Sequence, residues 1–182
     1  MRGISLYRNI LCMTAVVMAL FMGTALAAPR AMTVDDAVIA GVAPGNDLSY
    51  VRSIYGEPDG EKTKRTGNYP THLVDYYGEG FVITYDIFGG AQNPLIQSIE
   101  STNAALVMPS GIHVGMKIAE VQQIFSDIQE PFRRDEKNNQ YTSPRFYVEV
   151  SDEKKGRRTV VFDVDKKGVI QKIFIYDRYG ID

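Results

Sequence analysis

GVAPGNDLSYVRSIYG, residues 41–56, is the stretch on which the fold turns, because the chain repeats it as GIHVGMKIAEVQQIFS, residues 111–126. Without a gap, Gly41 meets Gly111, Gly45 meets Gly115, Leu48 meets Ile118, Val51 meets Val121 and Ile54 meets Ile124. A fixed offset that keeps glycines and apolar positions in register is the mark of an internal repeat. Ile96-Gln97-Ser98-Ile99 and Ile170-Gln171-Lys172-Ile173 echo each other in the same way near the end of each copy. The expected architecture is an α+β fold of two tandem repeats, residues 28–103 and 104–182. Each is a helix followed by a three-stranded antiparallel meander, with the helices packed on one face of the sheet.

Within each copy the local signals are specific. Leu48, Val51, Ile54 and Tyr55 have the spacing of a helix with one apolar face, Asp47 stands at its N-cap, and Gly56 and Pro58 end it. Ile118, Val121, Ile124 and Phe125 form the second seam, with Lys117 in the capping place. Thr33 and Asp36 resemble a capping box, so a further short helix is expected over residues 34–40. Residues 71–77 and 81–88, around Gly78-Glu79-Gly80, predict a hairpin, and residues 95–102 a third strand. The second meander is expected over residues 145–151, 158–164 and 169–177. Between helix and meander, residues 57–71 are expected to be a polar connector. Its cations Lys62, Lys64 and Arg65 suit a solvated loop, the other reading being an anion or phospholipid contact.

Residues 1–27 have the pattern of a secretory signal peptide. Arg2 and Arg8 lead an uncharged run from Ile10 to Met22, and Ala25-Leu26-Ala27 offers a small-x-small cleavage site. That run is too short to cross a hydrocarbon core, which takes about 20 residues. Export to the cell envelope or the medium is therefore expected, with no transmembrane segment after the leader is removed. The mature chain would keep 18 basic and 22 acidic residues, a formal charge of −4, and no cysteine, since Cys12 lies in the leader. A net-acidic exported chain without a basic stripe is not expected to bind nucleic acid.

The inventory offers no catalytic residues. Without cysteine a nucleophile would need His72 or His113 as its base, and neither lies in a motif. Asp163-Val164-Asp165-Lys166-Lys167-Gly168 opens like a calcium loop, yet Phe174 stands where the bidentate glutamate belongs, so neither metal nor cofactor is expected. Aromatic residues are plentiful instead. Tyr76, Tyr77, Phe81, Tyr85 and Phe88 crowd the first meander, and Phe146, Tyr147, Phe162, Phe174, Tyr176 and Tyr179 the second. Strand alternation sends part of each set to the face away from the helices. Tyr76, Tyr85, Tyr147 and Tyr176 are the expected partner-binding anchors, because tyrosine combines apolar area with a polar tip.

The pattern G-x-x-x-G-x-x-x-x-x-V-x-x-h-a-G, carried by Gly41, Gly45, Val51, Ile54, Tyr55 and Gly56 and followed by Pro58, resembles the SmpA/OmlA (BamE-like) family of small outer-membrane lipoproteins. Its tandem use is similar to the β-lactamase-inhibitor-protein fold. The resemblance covers about residues 38–177 and implies a binding or scaffold protein rather than an enzyme. This chain lacks the lipidation cysteine of the one group and the disulfides of the other. The expected function is thus a non-enzymatic module that binds a protein or peptide in the cell envelope or medium. The alternatives are an inhibitor of a secreted enzyme, inserting a loop such as 57–71 or 152–157, and an enzyme with no recognisable motif.

Overall fold

The computed structural model describes residues 28–67, 69–87, 90–129 and 144–177. The expected leader at 1–27, the second-copy arginines Arg133 and Arg134, and the aromatic residues Phe88 and Tyr179 lie outside the described residues.

One continuous antiparallel sheet dominates the molecule. Its strands are β1 (Gly60–Thr66), β2 (Tyr69–Tyr77), β3 (Phe81–Asp86), β4 (Leu95–Ser101), β5 (Arg145–Asp152), β6 (Gly156–Val164) and β7 (Ile170–Asp177), in the spatial order β1-β2-β3-β4-β7-β6-β5. The halves join where β4 pairs with β7, Ser98 opposite Tyr176 and Ile99 opposite Ile175. Two helices are described, α1 (Leu48–Tyr55) and α2 (Ile118–Ile124), of 8 and 7 residues.

This corrects the expected α+β architecture of two helix-plus-meander repeats. Seven strands at about 4.8 Å spacing make a sheet roughly 29 Å wide. Helices of this length are only about 10–12 Å long, too short to cover it. Much of the buried face is covered by irregular chain instead: Met32, Val34, Ala37, Ile39, Val42, Met108 and Ile112 all belong to the core. The sheet supplies Phe81, Ile83, Ile96, Ile99, Val148, Val160, Phe162, Ile173 and Ile175, and the helices add Val51, Ile118 and Val121.

Two local expectations also change. Residues 34–37 form a turn rather than the start of a helix. Asp36, the supposed capping-box acid, is drawn back by both guanidinium nitrogens of Arg30 (2.7 and 2.6 Å) and by the amide and hydroxyl of Thr33 (2.9 and 2.7 Å). Residues 57–71 are not a free connector, since β1 lies within them and pairs from Gly60 opposite Tyr76 onward. A lysine-bearing strand at a sheet edge needs no apolar alternation, which is why periodicity conceals it.

The sequence echo reappears as hydrogen bonds made twice. The Gly45 amide donates to the Ile96 carbonyl at 2.9 Å, and the Ile96 amide donates back to Asn46 at 2.8 Å. Gly115 and Ile170 make the same exchange at 2.8 Å, with Met116 accepting from Ile170 at 2.9 Å. Each loop is thereby stitched to the final strand of its own half. The helix caps differ. Asp47 accepts the Tyr50 amide at 2.7 Å, whereas at α2 Glu120 reaches back to accept the Lys117 amide at 2.9 Å.

Candidate functional site

The sheet face opposite the core carries the candidate site. Strand register alone places its side chains in two rows that cross the sheet. One row runs Tyr147, Val161, Phe174, Glu100, Val82, Tyr76. The next runs Glu149, Thr159, Tyr176, Ser98, Thr84, Val74, Lys62. Phe81, Ile83, Val160, Phe162, Ile173 and Ile175 alternate with these and face the core, while Val74 and Thr159 of the second row are covered by their own neighbours.

Three of the four expected anchors therefore share a face. Tyr76, Tyr147 and Tyr176 are all partly exposed there, and Phe174 joins them with its ring 5.2 Å from that of Tyr176. Tyr76 stands apart, three strands from Phe174, and Lys62 lies over its ring at 5.5 Å. Between Tyr76 and Phe174 is an open groove of about 500 Å³, with Val74, Val82, His72 and Lys64 among its lining.

Tyr85 is corrected. Its side chain is fully buried in the core, so it contacts no partner. The signal that places it was present in the sequence: Phe81, Ile83 and Tyr85 alternate with Val82, Thr84 and Asp86. The more polar of those two sets faces outward.

Charges on the open face are mostly compensated near the second half. Lys172 lies 3.3 Å from Glu100 and 3.5 Å from Asp163, Arg145 lies 2.6 Å from Asp163, and Arg157 lies 3.8 Å from Glu149. Asp165, the other acid of the calcium-like stretch, accepts the Lys167 and Val169 amides at 2.8 and 2.9 Å in the turn before β7. Among the described residues no group of His, Cys, Asp and Glu is arranged to hold a metal.

A second polar cluster lies beneath the sheet. Asp75 of β2 is fully buried and faces Arg52 of α1 at 3.2 Å, while Arg52 also meets Glu57 and Glu61 at 3.0 and 3.4 Å. Burial pushes the Asp75 carboxyl above its ordinary range, Arg52 opposes that shift, and Glu61 reinforces it. The neighbouring Tyr85 hydroxyl is pushed up by burial and by the Asp75 charge beside it. Asp75 and Tyr85 are fully buried, and through Asp75 the Arg52 side chain forms a strut between α1 and the sheet. The two histidines are engaged locally, His72 with Thr71 Oγ1 at 3.0 Å and His113 with the Gly111 carbonyl at 3.0 Å.

Among the described residues no helix is long and apolar enough to cross a membrane. No family model matches the chain, and no curated protein matches it. Among solved structures, a DUF4309 family protein (YjgB) from Bacillus subtilis subsp. subtilis str. 168 is similar at 10% identity, over 73% of this chain and 79% of that one, with a TM-score of 0.38. A likeness that slight carries no argument about either protein.

Proposed function

We propose that this is an exported, non-enzymatic module that binds a protein or peptide in the cell envelope or medium through the open face of its sheet. The observation that carries the reading is the common placement of Tyr76, Tyr147, Tyr176 and Phe174 on the face the core does not use. Partly exposed aromatic residues flanked by polar and charged neighbours have the composition of a recognition surface. Export rests on the leader-like residues 1–27, and the resemblance to binding and scaffold families points the same way.

Capture from envelope and culture-supernatant fractions tests it. The native protein is compared with a Tyr76→Ser/Tyr147→Ser/Tyr176→Ser variant whose circular dichroism matches the native spectrum. Retention of one protein by the native chain and its loss with the variant is the expected result. Equal retention by both contradicts the proposed face.

A further inference from the structure

The open face is not electrostatically uniform, and the asymmetry points to a ligand chemistry. Near the second half, Glu100, Lys172, Asp163, Arg145, Glu149 and Arg157 pair with one another, so that region offers a partner little net charge. Lys62 and Lys64 on β1 differ. Both are exposed, both fall in the alternation that faces the groove, and neither has a carboxylate within 4.0 Å among the described residues. Asp86, on the same face opposite His72, already has a partner of its own. The groove therefore has Lys64 in its lining at the β1 edge, with Lys62 beside it over the Tyr76 ring. Tyr76, Val82 and Phe174 give it aromatic and aliphatic surface, and its one lining carboxylate, Glu100, is held by Lys172. All this belongs to a chain with a formal charge of −2, so the local excess of positive charge runs against the molecule's overall sign.

Resting on the binding face proposed above, we infer that this groove takes an extended peptide segment in which carboxylates flank an aromatic or aliphatic side chain. The carboxylates meet Lys62 and Lys64 at the rim, and the apolar side chain lies on Val82 between Tyr76 and Phe174. Lys62 contributes twice, because its ammonium both attracts the acid and sits over the Tyr76 ring. Edge-strand lysines also discourage sheet-to-sheet association, and that role alone would leave ligand choice unaffected.

Two synthetic peptides separate the possibilities: acetyl-Ser-Glu-Phe-Glu-Phe-Ser-amide, and its counterpart with Lys for each Glu. Each is titrated into isotope-labelled protein expressed from the complete chain, with amide shifts mapped by NMR. The acidic peptide is expected to bind at least tenfold more tightly than the basic one and to move the amides of Val74, Val82 and Phe174. Its affinity is expected to fall about tenfold in Lys62→Gln/Lys64→Gln, whose exposed positions leave the core untouched, and further in Lys62→Glu/Lys64→Glu. Equal binding of the two peptides, no binding of either, or no effect of the lysine variants overturns the inference. Binding to phosphatidylglycerol vesicles without binding to the acidic peptide also overturns it, in favour of a lipid surface. None of these failures touches the wider face, because capture of a cellular protein with loss in the tyrosine variant stands independently.

Discussion

Arg52 of α1 places its guanidinium 3.2 Å from Asp75, a fully buried carboxyl on the core face of β2. The contact ties a short helix to the sheet it cannot cover alone. Removing one partner of a buried pair strands the other, at a cost of about 3 kcal/mol, and Arg52→Ala is expected to show that loss in urea unfolding at pH 7. Asp75→Asn adds a pH signature. Because the folded-state pKa of Asp75 is raised, its contribution to stability is fullest below the ordinary carboxyl value and is lost as pH rises through the raised one. The stability of the native protein relative to Asp75→Asn should therefore decline as pH rises above the ordinary carboxyl value. A difference that does not change with pH contradicts this placement of Asp75.

Asp36 predicts the opposite trend. Arg30 and Thr33 hold its carboxyl down at about 2 through hydrogen bonds. A lowered folded-state pKa contributes stability that is present above the unfolded value and lost as pH falls through the folded one. Arg30 is 53% exposed, so screening reduces the contribution to about 1 kcal/mol at neutral pH. Asp36→Asn is expected to lose that amount at pH 7 and to converge on the native protein near pH 2, as followed by thermal unfolding.

Arg158 fastens the irregular N-terminal segment to β6. Its guanidinium donates to the carbonyls of Val34 at 2.8 Å, Ala37 at 3.3 Å and Pro44 at 3.0 Å. A lysine cannot span three carbonyls in a fork, so Arg158→Lys is expected to cost about 2 kcal/mol. Faster hydrogen exchange at the Ile39 and Val42 amides, with little change in β2 and β3, is the expected local readout.

The two repeat glycines give a matched pair. Gly45 and Gly115 have φ of +90° and +97°, and an added Cβ at either position meets nothing within 4 Å. Gly45→Ala and Gly115→Ala should each cost about 1–2 kcal/mol through backbone strain alone. Similar losses in denaturant midpoint at both positions are expected, and a large loss at one only would show that the two loops are not mechanically alike.

The glycine positions were legible in the sequence because a positive φ is a demand on residue type that repeats when the loop repeats. The two short helices were legible for a similar reason, their apolar faces being marked by Val51 and Val121. The turn around Asp36 was not, because Thr33 and Asp36 carry the letters of a cap while Arg30 decides where that carboxylate points. β1 carries no such signal, because exposure on both faces erases periodicity. The single sheet carries none either, because nothing local to β4 or β7 says that they pair. Of the four tyrosines, Tyr76, Tyr147 and Tyr176 came to one face, while Tyr85 lies on the buried one. The strand around Tyr76 explains the difficulty: its inward set is the partly buried Leu73 with the buried Asp75 and Tyr77, and the charge at Asp75 disguises the inward face.

The most direct test of the open-face reading is site-specific photo-crosslinking in cells that express the full chain. One benzoylphenylalanine replaces Tyr176 on the open face, and another replaces Ile54, an exposed apolar residue of α1 on the opposite side. A discrete protein adduct from position 176 and none from position 54 is the expected result. An adduct from position 54 alone contradicts the open face as the recognition surface.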